Sequence, residues 1–98
     1  MTLFFQNPTP PERVLARHIT LLALMMRLTR AERDAIRAAE TTDGDVSDIM
    51  FLLSKARYID LGRTDTIASM NALEAKTLLS AGRATAILSA EVQETERP

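Results

Sequence analysis

The sequence has no cysteine and no tryptophan. The first absence excludes disulfides, thiolate metal sites and cysteine nucleophiles, and leaves the redox compartment open. Aromatic residues are limited to Phe4, Phe5, Phe51 and Tyr58, so the core must be aliphatic, built from Leu, Ile, Met and Ala. Three isolated glycines, Gly44, Gly62 and Gly82, cannot write a phosphate loop or a dinucleotide-binding fingerprint, and no serine is flanked by the glycines of a hydrolase nucleophile elbow. One histidine, His18, leaves no material for a catalytic triad or a histidine-rich metal site.

Charge of one sign is also missing. Twelve basic residues stand against 13 acidic ones, a net charge of −1, whereas a dedicated nucleic-acid binder carries a positive excess that neutralises phosphates. The longest apolar run, Ile19-Thr20-Leu21-Leu22-Ala23-Leu24-Met25-Met26, is about half of what a bilayer span needs. It also makes a poor secretory signal, because Glu12 sits among the preceding charges and Arg27 follows where a small-residue cleavage site would stand. The expectation is a soluble chain made in the cytoplasm, with no membrane span.

What the sequence does contain is helix signals. Residues 1–9 read as an extended apolar arm that breaks at Pro8. Thr9-Pro10-Pro11-Glu12 combines a capping residue, prolines suited to a first turn and a Glu that completes a capping box, which predicts a helix to about Leu28. Leu15, Ile19, Leu22 and Met26 form one seam on it, and Val14, Leu21, Met25 and Leu28 an adjacent one. Thr29-Arg30-Ala31-Glu32 is a second capping box, opening a helix to about Glu40 whose apolar face (Ala31, Ala35, Ile36, Ala39) is thin. Asp45 or Ser47 then caps a third helix with Val46, Ile49, Met50, Leu53 and Ala56 inward. Tyr58–Gly62 is a short extended link. A fourth helix opens at Thr64 or Asp65, runs to about Leu79 and buries Ile67, Met70, Leu73 and Leu78. A fifth covers residues 83–92, and residues 93–98 form a frayed acidic tail. No hairpin signal joins alternating runs. The predicted fold is all-α: a compact bundle of about five short helices over residues 10–92, with an extended N-terminal arm.

No constellation supplies catalysis, and neither a cofactor nor a metal is called for. Counted as a calcium loop from Asp43, position six is Asp48 instead of glycine and position twelve is Ser54 instead of glutamate, so the acids Asp43, Asp45 and Asp48 read as turn and helix-start residues. His18 reads as a boundary residue on the first helix, with a pH-switch or ligand role as the sharper alternative. Arg27, Arg30, Arg33 and Arg37 fall roughly on one face. Asp34 and Glu40 lie three or four residues from their neighbours, which makes a solvated, locally paired face the simpler reading and a phosphate stripe the bolder one. Helices two and three allow a helix-turn-helix, but the reading helix would begin with Asp45 and Asp48, two carboxylates facing DNA phosphates.

The first helix is apolar nearly all round in its second half, and the second helix offers little to cover it. Either the bundle buries it centrally, or Leu21, Leu24, Met25 and Met26, with Phe4 and Phe5, meet another chain.

The segments MRLTRAERDAIRAAE (26–40) and YIDLGRTDTIASMNALEAKTLLSAGRATAIL (58–88) resemble a group of small helical proteins encoded among the tail genes of tailed bacteriophages and prophages. The likeness lies in LT-x-x-E-R, the YIDL link, the Leu-Glu-Ala of the next helix and the closing LL-x-x-G-R-A, and covers about half the chain. Members begin near the position of Met26, so residues 1–25 lie outside the pattern. They also tend to carry glycine just before the LL pair, where this chain has Lys76-Thr77. The resemblance implies no enzyme activity. It implies a non-enzymatic tail or virion protein, made in the host cytoplasm, acting through contacts with other phage structural proteins or with its own copies in a homo-oligomer. The alternative from another class is a small phage-encoded regulator that binds DNA or a host protein. A third is an enzyme subunit without an active site of its own.

Overall fold

A computed structural model describes residues 17–98 of the chain. The expected arm at residues 1–9 and the predicted helix start at Thr9–Glu12 lie outside the described residues. Within them the order is β1 (His18–Ile19), α1 (Leu21–Arg27), α2 (Arg30–Glu40), α3 (Gly44–Lys55), β2 (Ile59–Asp60), α4 (Thr64–Ala75) and α5 (Arg83–Ser89), followed by a 3₁₀ turn at Glu94–Glu96. The described residues thus form the expected all-α bundle of five helices, with one addition: β1 pairs antiparallel with β2, His18 opposite Asp60 and Ile19 opposite Ile59.

That ladder corrects the first helix, which does not run unbroken to Leu28. Ile19 is β-branched and fully buried against Ile59 in the ladder. Thr20 then leaves the strand in extended conformation, and its Oγ1 accepts the N–H of Ala23 at 3.0 Å, so the helix restarts at Leu21. A threonine inside an apolar run reads as helix interior by periodicity alone; here its hydroxyl serves as the cap.

At α2 the sequence signal holds. Thr29 Oγ1 accepts the Glu32 N–H at 3.1 Å, and the Glu32 carboxylate accepts the Thr29 N–H at 2.8 Å, completing the capping box. Only Ile36 is fully buried on α2, the thin face that was expected. For α3 the cap moves to Asp43, whose Oδ1 accepts the N–H groups of Asp45 at 2.9 Å and Val46 at 3.4 Å, and Gly44 is the first helical residue. Val46 and Leu53 are buried, Ile49 and Met50 half-buried, and Ala56 exposed.

Helix α4 buries Thr66, Met70 and Leu73, but Ile67, predicted inward, is exposed. It stops four residues short of Leu79. Lys76 caps it, Thr77 turns to φ 63°, the Thr77 N–H donates to Glu74 O at 2.9 Å and the Leu78 N–H to Leu73 O at 3.1 Å. That bond pair is a Schellman ending, and it lets Leu79 return to the core from outside the helix. Gly82, at φ 85°, leads into α5, and the Glu74 carboxylate accepts the Ala84 N–H at 2.9 Å.

The C-terminal tail, expected to fray, is part of the fold. The Gln93 N–H donates to Glu96 Oε1 at 2.9 Å within a second reciprocal box, and the Thr20 N–H donates to the Glu96 carbonyl at 2.9 Å. Helix α2 packs on α3, α4 on α5, and the C-terminal turn on α1. The core between them is aliphatic, centred on Ile19, Leu24, Val46, Ile59, Met70 and Leu73.

Candidate functional site

Helix α1 divides its apolar residues between two faces. Ala23 and Leu24 point into the core, Leu21 and Met25 are half-buried against it, and Leu22 and Met26, one turn apart, are 71% and 66% exposed. This corrects part of the expected contact set: Leu24 has no exposed surface and belongs to this chain's own core. Met26 is where a contact needs it. Leu22, read from the sequence as the same seam as Met26, joins it in solvent, while Phe4 and Phe5 lie outside the described residues.

A second apolar area was not anticipated. Phe51 and Leu52 on α3 and Tyr58 in the α3–β2 link are 57%, 59% and 45% exposed, with the Lys55 ammonium 5.0 Å from the centre of the Phe51 ring. Phe51 and Leu52 fall off the buried register of Val46, Ile49, Met50 and Leu53, which is the signal that could have located them. Leu52 and Tyr58 border a cleft of about 210 Å³ between α3 and α4, floored by Ile49, Leu53 and Ile59 and rimmed by Asp60, Arg63 and Asp65. Another hollow of about 220 Å³ lies among Met25, Leu28, Ile36 and Met50, with Arg33, Arg37 and Glu40 at its edge.

His18 is not on a helix. It sits buried in β1, its ring stacked on Tyr58 at 4.0 Å and 15°. Its Nε2 is 3.6 Å from Asp60 Oδ2, beyond hydrogen-bond range, and is the one buried side-chain polar atom without a partner among the described residues. Asp60 spends its other oxygen on the Gly62 N–H at 2.9 Å.

The structure does not assemble a free basic face from Arg27, Arg30, Arg33 and Arg37. Arg27 turns inward, its side chain 8% exposed, and engages every guanidinium nitrogen: Nε and Nη2 donate to Glu96 at 2.8 Å each, Nη1 to the carbonyls of Ile87 at 2.6 Å and Ala90 at 3.1 Å, and Nη2 also to Glu91 O at 3.3 Å. Arg33 donates to the Met25 and Leu28 carbonyls at 3.0 Å each, closing the C-terminal end of α1. Arg30 and Arg37 remain exposed and share one carboxylate, Asp34.

Two further ties join elements distant in sequence. Arg83 of α5 makes a forked contact with Glu32 of α2 at 2.7 and 2.9 Å, which holds the Glu32 carboxyl down to about 2. Lys76 binds Asp43 at 2.8 Å and lies 3.7 Å from Asp45; the ammonium lowers the Asp43 pKa, and the carboxylate raises that of Lys76. Arg27 likewise holds the Glu96 carboxyl below its usual range. The acids of the α2–α3 turn therefore serve capping and pairing, and no group of three or more residues able to hold a metal ion occurs among the described residues. Nor is any helix there long and apolar enough to cross a membrane.

In comparison with known proteins, the chain matches no family model, no curated protein and no solved structure.

Proposed function

We propose that this chain is a non-enzymatic protein that acts through protein–protein contacts, as a structural or assembly component of a bacteriophage tail that meets other virion proteins or its own copies. The observation that carries the contact reading is the Leu22–Met26 pair. Two long apolar side chains one turn apart stand mostly in solvent, on a helix whose other face is already satisfied by the core. Exposed apolar side chains grouped on one element mark contact surfaces more often than isolated ones do. The one basic side chain of α1, Arg27, is turned inward, so no charge of that helix itself opposes an apolar partner. The tail assignment draws on the resemblance of residues 26–40 and 58–88 to phage tail-gene products.

Binding to DNA is the weaker reading. Two of the four arginines of the supposed basic face are committed to carbonyls or to Glu96, and Asp45 and Asp48 stand exposed in the first turns of α3, where a reading helix would approach phosphate.

The test is the double substitution Leu22→Glu/Met26→Glu, followed by sedimentation velocity and thermal melting. Both side chains are exposed, so the melt should stay cooperative with its midpoint within a few degrees of wild type. Self-association, or co-sedimentation with a tail protein, should be lost. A wild-type protein that remains monomeric at tens of micromolar and binds no tail protein rejects the proposal.

A further inference from the structure

We propose that His18 is a proton-operated latch on the β1–β2 ladder: taking up a proton turns its approach to Asp60 into a charged hydrogen bond that fastens β1 to β2. The imidazole is nearly out of water, its side chain 7% exposed, and its Nε2 is the buried polar atom that has no partner among the described residues. Such an atom costs free energy for as long as it stays unpaired. Asp60 stands opposite His18 in the ladder, with Oδ2 at 3.6 Å from Nε2. The Gly62 N–H is met by the other oxygen, Oδ1, so Oδ2 has no hydrogen bond among the described residues. A donor in need of an acceptor and an acceptor in need of a donor thus face each other, slightly too far apart.

Histidine is the side chain whose charge ordinarily changes between pH 5 and 8. Once protonated, the ring presents a charged donor to a carboxylate, and a small movement of the Asp60 side chain that shortens the gap to about 2.8 Å completes the pair. The ring plane is already set by Tyr58, stacked on it at 4.0 Å, and an aromatic face favours a cation. The other charged groups on the neighbouring elements are engaged elsewhere. Arg17, next to His18 in the chain, donates to the Leu88 carbonyl of α5, and Arg63 and Asp65 at the start of α4 pair with each other at 2.7 Å. Glu96 of the C-terminal turn meets Thr20 through its carbonyl and gives its carboxylate to Arg27. Asp60 is therefore the counter-charge. Because β1 leads through Thr20 into α1, the latch sets how firmly the entry to α1 is held against β2, more firmly as pH falls through the histidine range. It is independent of the contact role proposed for Leu22 and Met26, so either proposal can fail without the other.

A hydrogen bond of the ladder itself provides the readout. The Leu61 N–H donates to the Arg17 carbonyl at 3.1 Å, next to the His18–Asp60 pair, while the Ala86 N–H donates to the Gly82 carbonyl at 3.1 Å in α5 and serves as the reference. Hydrogen exchange of both amides is measured by NMR on the full chain at about pH 7.5 and about pH 5.5, each corrected for the intrinsic rate at that pH. His18 is the sole histidine, so its imidazole resonance can be followed over the same range without overlap. The expected result is that protection of Leu61 relative to Ala86 rises on the order of fivefold on acidification, in step with the imidazole titration. His18→Phe keeps a ring on Tyr58 but takes up no proton, and Asp60→Asn keeps an acceptor for the Gly62 N–H but no charge. Each should abolish the rise. Flat or falling Leu61 protection in the wild-type chain overturns the proposal, as does a rise that Ala86 shares equally or that survives either substitution. If one substitution unfolds the domain, the wild-type comparison and the other variant decide.

Discussion

Thr77 carries a β-branched side chain at φ 63°, a conformation that costs an L-residue roughly 1–2 kcal/mol. It holds this geometry because it is the residue that ends α4: its N–H and that of Leu78 satisfy the carbonyls of Glu74 and Leu73, and the reversal delivers Leu79 to the core. Glycine is the usual occupant of such a position, because it has no β-carbon to clash in the left-handed region. Replacing Thr77 by glycine relieves the strain and restores about 0.5–1 kcal/mol of backbone freedom to the unfolded state, so the net effect is a stabilisation of roughly 0.5–1 kcal/mol. Thr77→Gly should raise the melting midpoint by a few degrees, and Thr77→Ala, which keeps a β-carbon, by less. An unchanged or lowered midpoint for the glycine variant would mean that the Thr77 backbone is not strained. The ending of α4 was hard to read from sequence for the same reason: Lys76-Thr77 gives no stop signal, and only the tertiary demand of Leu79 forces the turn.

Among the elements, α2 shows how far local signals reach. Its start was legible because Thr29 and Glu32 satisfy each other's backbone within four residues. Its attachment was not, because the same Glu32 also binds Arg83, 51 positions away. Helix α2 has one fully buried side chain, so this ionic tie to α5 carries weight that apolar packing does not. The consequence is a dependence on pH. A carboxyl whose folded pKa is depressed contributes stability that is present above its unfolded value and is lost as pH falls through the folded value. For Glu32 the window runs from an ordinary value of 4.5 down to about 2, and Glu96 and Asp43 shift in the same direction. Glu32→Gln should therefore lower the melting midpoint at pH 7 and narrow its gap to wild type as pH falls from 5 to about 2. A gap that stays constant with pH would show that the tie contributes only packing. The start of α1 illustrates the opposite case, in which a two-residue strand carries no periodicity and Thr20 looks like one more helical position until Ile59 is known to lie opposite Ile19.

At the scale of the whole molecule, the C-terminal segment is ordered by contacts distant in sequence. Gln93 to Pro98 looks like a polar tail; beyond the local bond from the Gln93 N–H to the Glu96 carboxylate, it is tied down by Arg27, about seventy positions earlier. That guanidinium lies nearly out of water and relies on the segment following α5 for four of its five contacts, two from Glu96 and one each from the carbonyls of Ala90 and Glu91. The same segment accepts the Thr20 N–H that caps the approach to α1. Ending the chain after Ser89 would leave a buried cation without its counter-charge, and removing one partner of such a pair costs roughly 3–5 kcal/mol. For a domain of this size, where each kcal/mol moves the midpoint by about 4–8 °C, the loss corresponds to a drop on the order of 15 °C or more. Because Arg27 closes α1 while Leu24 of the same helix sits in the centre of the core, the loss should appear as cooperative unfolding of the whole molecule and not as local fraying. Removing only Arg97 and Pro98 keeps the clasp and should leave the midpoint within about a degree of wild type. Thermal melts of the two truncations decide it: if the chain ending at Ser89 melts as the full chain does, Glu96 is a surface ornament of Arg27 and the C-terminal segment frays, as its sequence suggests.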